Sequence, residues 1–399
     1  MERYFGLVIR IMRDILLMPN IDLQTIHSGY DRKTCWVHAR PGTIPGDPPI
    51  TVVTMQKLRL TGSDVFYEIN DIRTDDGGQT WFGPTPHPDT LGRRPSDGGI
   101  QECVCDFWPQ WHETSGVLLG TGHTVQYIDD DHPPTSKATT GYSVYDVDRR
   151  AWSPWAKLQM PDHPNFEISG AGCTQRVDLP DGQILLPIYF RLAETIKDHF
   201  HFQGVATVLR CRFGGQALCY LEHGTELTVP TARGFGEPSL AQYGGRYYLT
   251  IRHDEAGYVT VGDDGLHFGE PRTWTFDDGS DLGSYNTQQH WVTMSDGLYL
   301  VYTRRGANND HVLRHRAPLF LAKVDLDRLC VIRESEQILV PERGARLGNF
   351  GVTWISDNES WVVVSEWMQN KGPDSHDGRV CEKYGSDNSV FVAKIRSGT

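Results

Sequence analysis

Gln56, His123, Tyr189 with Arg191, Arg252 with His253, Arg304 with Arg305, and Glu366 with Trp367 share one phase of a repeating pattern. Each follows a short apolar run, yet each position is polar or charged. An imidazole and a phenol can move protons, so His123 and Tyr189 form a candidate acid/base pair. Guanidinium groups pair with carboxylates in a fixed fork, and Arg191, Arg210, Arg252, Arg304 and Arg305 are candidates for that task. Tyr258, Gln289 and Gln56 join the expected substrate-binding set. Together these side chains describe a pocket for an anionic ligand. Solvated strand ends account for one or two such positions and poorly for six.

A second, weaker constellation is His311 and His315 in Asn309–Arg316, with His290 as a third nitrogen. The two loop histidines have the spacing of one helical face, but their surroundings read as loop. There is no HExxH or CxxC pattern, and Cys103-Val104-Cys105 is too tight for the usual zinc pair. A structural zinc or calcium is the metal such a group would hold; loop stabilisation is the competing role. The proton-transfer chemistry itself requires no cofactor.

The elements that position these residues are strands. Apolar runs begin at Val52, Val117, Ile184, Tyr247, Leu298 and Trp361, at intervals of 65, 67, 63, 51 and 63 residues. Asp181-Gly182, Gly244-Gly245 and Asp296-Gly297 precede three of them as hairpin turns. Between the runs, Thr74–Trp81 fits the Asp-box pattern S/T-x-D-x-G-x-T-W. Val261–Phe268 keeps Asp263, Gly265 and the aromatic, and Trp152 and Cys330 follow similar Asp turns. An Asp that caps its own turn and an aromatic that packs between sheets are structural devices. A strand-rich repeat of this length is a propeller blade with long loops. The expected fold is all-β: a sialidase-like β-propeller of four-stranded antiparallel sheets, with seven blades, or six if the chain ends supply no blade of their own. Residues 20–399 form one domain closed by its N- and C-terminal strands. Residues 1–19 read as an extension with a short amphipathic helix or as an upstream-start artefact. The innermost strands are expected to carry the polar series to the ring axis.

Composition limits the partners. Lys and Arg number 38 against 51 Asp and Glu, a formal charge of −13, which opposes nucleic-acid binding. An anionic sugar needs only a local arginine pocket. No apolar stretch reaches membrane-spanning length. Residues 1–18 are interrupted by Arg10, Arg13 and Asp14 and make a poor signal peptide. The expectation is therefore cytoplasmic, or secreted if the start is misassigned. The eight cysteines are scattered and suit buried small hydrophobes better than a disulfide framework. A monomer is expected.

Gly62–Tyr67, Arg73–Trp81, Leu186–Tyr189, Val208–Cys211 and Arg314–Phe320 resemble segments of propeller enzymes that act on acidic polysaccharides. These are the ulvan lyases of polysaccharide lyase family 25 and the related rhamnosidases of glycoside hydrolase family 145. The resemblance runs from about residue 30 to the end of the chain. It implies seven blades, His123 and Tyr189 as acid/base residues and Arg210 as the group that neutralises the uronate carboxylate. The lyases' second histidine is matched here by Tyr142, a departure from their pattern. The rhamnosidases' histidine on the opposite face has only His27 and His38 nearby, and the F/Y-R-I-P motif of true sialidases is missing.

Three functions follow. The first is β-elimination on a uronate- and rhamnose-containing glycan. The second is hydrolysis on the same fold, for which Glu237, Asp254, Glu255 and Glu366 are the candidate carboxyl groups, with no pair standing out. The third is a glycan-binding propeller without chemistry.

Overall fold

The computed structural model describes residues 18–60, 64–133, 136–198 and 201–398. The expected N-terminal helix lies outside the described residues, up to Met18.

Six antiparallel sheets follow one another along the chain. Blade 1 runs Thr34–Ile44, Ile50–Arg59, Phe66–Thr74 and Phe82–Pro86 from the axis outward. Blade 2 has Gln101–His112 innermost, then Val117–Tyr127 and Thr140–Asp146. In blade 3 the inner strand is split into Ser169–Gly170 and Val177–Asp178, both paired with Gln183–Arg191. Blades 4 and 5 open with Gly236–Tyr243 and His290–Met294, and blade 6 with Phe350–Ser356.

The blade count is six, the smaller of the two counts that the repeat allows. The reason lies in the chain ends. Val390–Arg396 pairs with Glu359–Ser365 on one side and with Asn20–His27 on the other. The ends therefore complete the sheet of the sixth repeat instead of building a seventh, and the sheet they form needs both termini. Closure of this kind leaves no free inner edge.

The periodic apolar runs are the second strands, not the innermost ones. Val52, Val53, Leu118, Leu119, Ile184–Leu186, Leu249, Leu298–Leu300 and Val362–Val364 are buried between neighbouring blades. A strand covered on both faces reads as a continuous apolar run. The true inner strands line the axis, carry polar residues there and lose that signature. Apolar clusters fill each gap between blades. Trp274 and Trp291 pack edge-to-face between blades 4 and 5, and Trp81 meets Trp361 between blades 1 and 6.

The Asp-box at Thr74–Trp81 is formed. The Asp76 carboxylate accepts from the backbone N–H of Gln79 and Thr80 and from both threonine hydroxyls, at 2.6–2.9 Å. In the partial copy it is Asp264, not Asp263, that caps the turn, through the N–H groups of Leu266 and His267. Asp263 pairs with Arg246 instead. All eight cysteines are free thiols, and seven of them are buried. Among the described residues no helix is long and apolar enough to cross a membrane, a statement that does not bear on spanning by strands.

Candidate active site

The second strand of each blade runs toward one end of the ring, and on blades 2 to 4 these ends meet. A cavity of about 200 Å³ is lined there by His123, Tyr189, Arg191, Arg233, Glu237, Arg252, His253 and Asp254, with Phe202 and Phe235 as apolar wall. The sequence series thus places five of its members together: His123, Tyr189, Arg191, Arg252 and His253. The residues are polar because they leave the inter-blade core at this point and face the cavity.

Beneath them the inner strands share a local distortion. The strand pairing shifts register around His38 in blade 1, Asp106 in blade 2 and Glu237 in blade 4. In blade 3, Cys173 sits in the gap between the two halves of the inner strand. These four residues have φ of 57°, 51°, 43° and 62°, the left-handed region that non-glycine residues avoid. Bulges re-aim side chains, and strained backbone of this kind collects at functional sites. The result is a polar floor to the cavity. The Asp106 carboxylate accepts from Cys173 Sγ at 2.6 Å and from Arg40 at 3.3 Å, and lies 3.3 Å from His38 Nδ1. Arg40 is fully buried and reaches Gln288 at 2.8 Å and the Phe350 carbonyl. His38 and Arg40 beside it hold Asp106 well below the ordinary carboxylate range despite burial. Burial in turn lowers His38 to about 4, so this imidazole is neutral near pH 7.

His123 stands between floor and cavity. Its ring is 6.3 Å from that of Tyr189, centroid to centroid, and its Nδ1 is 4.0 Å from Asp106. Burial lowers the imidazole below its usual value, with Asp106 pulling the other way. Burial raises the Tyr189 phenol well above 10, and the charge of Glu237 adds to the shift. A neutral imidazole therefore sits beside a protonated phenol across the neutral range, the states suited to a base and an acid. Activity that depends on the pair will rise with pH through a midpoint below 6.5 and hold until the phenol ionises above pH 10. A pH–rate profile of kcat/KM checks this; a rising limb centred at or above 6.5 contradicts it.

The arginines differ in how they are engaged. Arg252 pairs with Glu237 and donates to Asn286, and Arg233 clasps Asp254 through two bonds of 2.7 and 2.9 Å. Arg191 has no carboxylate partner among the described residues; its guanidinium lies over the Phe202 ring at 3.9 Å. Burial and neighbouring Arg233 lower its pKa, the mark of a cation whose charge is not balanced locally. Deeper on the same side, Arg316 and Arg346 are buried close to Arg252 and Arg314. Burial and their mutual repulsion bring Arg346 down to about 9. The lining itself sets three arginines against two carboxylates.

Several expected site residues lie elsewhere. Arg210 is outside the cavity. It pairs across the strand with Leu185, four residues before Tyr189, and its guanidinium is held by Glu222 at 2.8 Å. The resemblance assigns it the carboxylate, but its position at the other end of the strand rules out contact with the cavity. Gln56 is buried and donates to the carbonyls of Tyr67 and Val104. Gln289 is likewise buried, bonded to Ser284, Thr287 and Thr250. Arg304 is clamped by Glu336 through bonds of 2.9 and 2.7 Å. Arg305 covers the Tyr285 ring and donates to the Glu255 carbonyl. Tyr258 packs behind the cavity wall, against Phe235 and His253. Glu366 is buried, paired with Arg343 and accepting the N–H groups of Asp387 and Ser389.

The three histidines expected to share a metal do not meet. His290 is buried between Trp108 and Phe350 and bonded to Ser239 and Gln288. His311 stacks on Tyr384 and pairs with Glu342, and His315 bonds to Tyr285 and Asp310. Each has a structural partner of its own.

Sequence reasoning missed Arg233 and the floor residues His38, Arg40, Asp106 and Cys173. Arg233 lies in the loop before Gly236–Tyr243, where no alternation applies, and the floor residues lie on or between inner strands, where bulges break the alternation that would have shown which way they face.

No family model matches the sequence, and no curated protein matches it. Solved structures do share the fold. A protein of unknown function from Dyadobacter fermentans superposes with a TM-score of 0.59 at 12% identity, over 94% of this chain and 99% of that one. Trypanosoma rangeli sialidase gives 0.59 at 12% identity, over 95% of this chain; the match spans 60% of the sialidase's length. The α-L-arabinanase of Penicillium chrysogenum, complexed with arabinobiose, gives 0.57 at 14%, over 95% and 98%. At such identities the likeness establishes the architecture, a β-propeller, and no more.

Proposed function

We propose that this protein is a carbohydrate-active enzyme that cleaves a uronate-containing glycan by β-elimination, with Arg191 as its carboxylate-binding residue. The observation that carries the reading is the grouping in one cavity of His123, Tyr189 and Arg191, an arginine with no carboxylate partner among the described residues. The sialidases and the arabinanase that share the fold are named for acting on sugars, which agrees with a glycan substrate.

The chemistry is as follows. The C5 proton of a uronate is weakly acidic while its carboxylate stays fully charged. Arg191 on that carboxylate stabilises the enolate-like charge that develops. His123, neutral, takes the C5 proton. The C4–O bond then breaks, a C4–C5 double bond forms, and Tyr189 gives its proton to the departing oxygen. Water or a neighbouring group restores the two residues. The carboxyl groups at the cavity favour this over hydrolysis by a carboxyl pair: Glu237 is tied to Arg252 and Asp254 to Arg233, so neither is free to act as acid or nucleophile. The departure at Tyr142 does not touch these three groups, since Tyr142 packs in the core between blades 2 and 3 and does not line the cavity.

The test is incubation of the protein with ulvan, other uronate–rhamnose polysaccharides and rhamnose-capped uronate oligosaccharides, following ultraviolet absorbance and reducing-sugar release together. Unsaturated-uronate absorbance with matching chain cleavage is expected. Arg191→Ala should lower kcat/KM by about 10²-fold, the scale of losing one charge-stabilising donor, while Arg210→Ala leaves it nearly unchanged. Sugar release without absorbance would replace elimination by hydrolysis. Loss of activity in the Arg210 variant and not in the Arg191 variant would return the carboxylate to the other end of the strand.

A further inference from the structure

We propose that Cys105, Asp106 and His123 form an open three-ligand site for a thiophilic divalent cation of the zinc class. The three side chains present one sulfur, one oxygen and one nitrogen, and all three ligand atoms lie within 4.8 Å of one another. Their convergence has a local cause. Cys105 and His123 are directly opposed across the first two strands of blade 2. Asp106 follows Cys105 and in a regular strand would point to the opposite face. At φ 51°, inside the register shift between Cys105 and Trp108, it turns back to the same side.

The spacing suits a metal. Bonds of about 2.0–2.3 Å in a tetrahedral site set ligand atoms roughly 3.3–3.8 Å apart. Cys105 Sγ lies 3.5 Å from Nε2 and 3.9 Å from Nδ1 of His123, and Nδ1 lies 4.0 Å from Asp106 Oδ2. The two sides that meet at Nδ1 are within a few tenths of an ångström of that range, and the third lies within 4.8 Å. Gly172 packs against that nitrogen, where a Cβ would stand 2.0 Å from Nδ1, so only a glycine lets the imidazole keep this position. Around the ligands is a supporting layer. Cys173 donates to Asp106 and Arg40 pairs with it, so the carboxylate is oriented by two groups, and His38 lies 3.3 Å away. His38 Nδ1 has no hydrogen-bond partner although it is buried, which leaves this floor short of one polar interaction. A thiolate and a carboxylate together carry the two charges that a divalent ion neutralises. Of the three ligands only His123 lines the cavity, so the site adjoins it through that residue.

The site stands independently of the elimination reading, but the two share His123. An ion on that nitrogen occupies the lone pair that would take the proton, so the metal-bound form is inactive as a lyase and a chelator restores it.

The experiment is a titration of chelator-treated protein with Co²⁺ alone, read by absorption. One equivalent should produce a thiolate-to-cobalt charge-transfer band in the near ultraviolet, and Zn²⁺ should remove it. Cys105→Ser and His123→Ala should each abolish the band, with circular dichroism confirming that the variants are folded. His123 is the more exposed ligand, so its variant decides the matter if Cys105→Ser does not fold. No band in the wild type, or a band that survives in the folded variants, overturns the site. No glycan is present in this titration, so its failure leaves elimination standing. A normal cobalt band in a protein inert toward uronate glycans would refute the proposed function alone.

Discussion

Gly172→Ala should suppress the proposed elimination nearly as fully as His123→Ala, although it removes no atom of the proposed acid/base pair. For His123→Ala the expected loss in kcat is about 10²–10⁴-fold, the range for a positioned general base. The glycine variant acts through packing. A Cβ at residue 172 would lie 2.0 Å from Nδ1 of His123, 2.9 Å from Cε1 and 3.0 Å from Cγ. The backbone of blade 3 will not give by that much, because Ser169–Gly170 and Val177–Asp178 are paired on both sides of it. The imidazole must therefore swing away. A misplacement of about 1 Å costs roughly 10²-fold. Steady-state rates of unsaturated-uronate formation measure both variants. Since Gly172 does not have a positive φ, alanine fits the backbone, and the thermal midpoint should fall far less than the rate. Retention of more than a tenth of wild-type activity in Gly172→Ala would mean that His123 does not work from the position described.

Deletion of residues 390–398 should abolish cooperative folding. Among the described residues this strand is the only strand partner of Asn20–His27, and it is the outer partner of Glu359–Ser365, so its removal opens the ring at both ends of the chain. Val390, Val392 and Ile395 are fully buried and Phe391 is 4% exposed. At about 1.5–3 kcal/mol for each such side chain, the four contribute on the order of 6–12 kcal/mol. That matches the whole stability of an ordinary domain, about 5–15 kcal/mol. Far-UV circular dichroism and a thermal melt are the readouts. Deleting Ser397–Thr399 alone removes only residues beyond the strand and should leave the transition in place. A sharp melt in the longer deletion would show that the sixth blade closes without its terminal strand.

The contrast between the two ends of one strand explains where the sequence could be read and where it could not. Ile184–Leu186 is apolar because two blades cover it, and five further runs share that environment, so the repeat and the propeller were visible in the residues alone. Tyr189 and Arg191 lie a few residues on, where the strand leaves the core, and the same phase in neighbouring repeats led directly to His123, Arg252 and His253. The phase does not tell a cavity-facing residue from one that meets a buried partner. Gln56 finds two backbone carbonyls, 11 and 48 residues away, and Arg304 finds Glu336, 32 residues away, contacts that only the folded chain brings together. Arg210 shows the limit of resemblance: a matching segment fixes the strand but not which end of it faces the ligand.

By itself, the sequence determined the strand-built ring, its Asp-capped turns and the His123–Tyr189 pair with Arg191 beside it, because these rest on periodicity and local turn chemistry. Tertiary structure decided the count of six blades, since that depends on which strand the two termini pair with. It also decided the floor of the cavity. His38, Asp106 and Cys173 are far apart in the chain; the first two sit on bulged strands and the third in the gap of a split one, where one residue at positive φ reverses the face to which a side chain points. Alternation along a strand predicts direction only while the backbone stays regular, and here it is irregular in the inner strands that approach the axis.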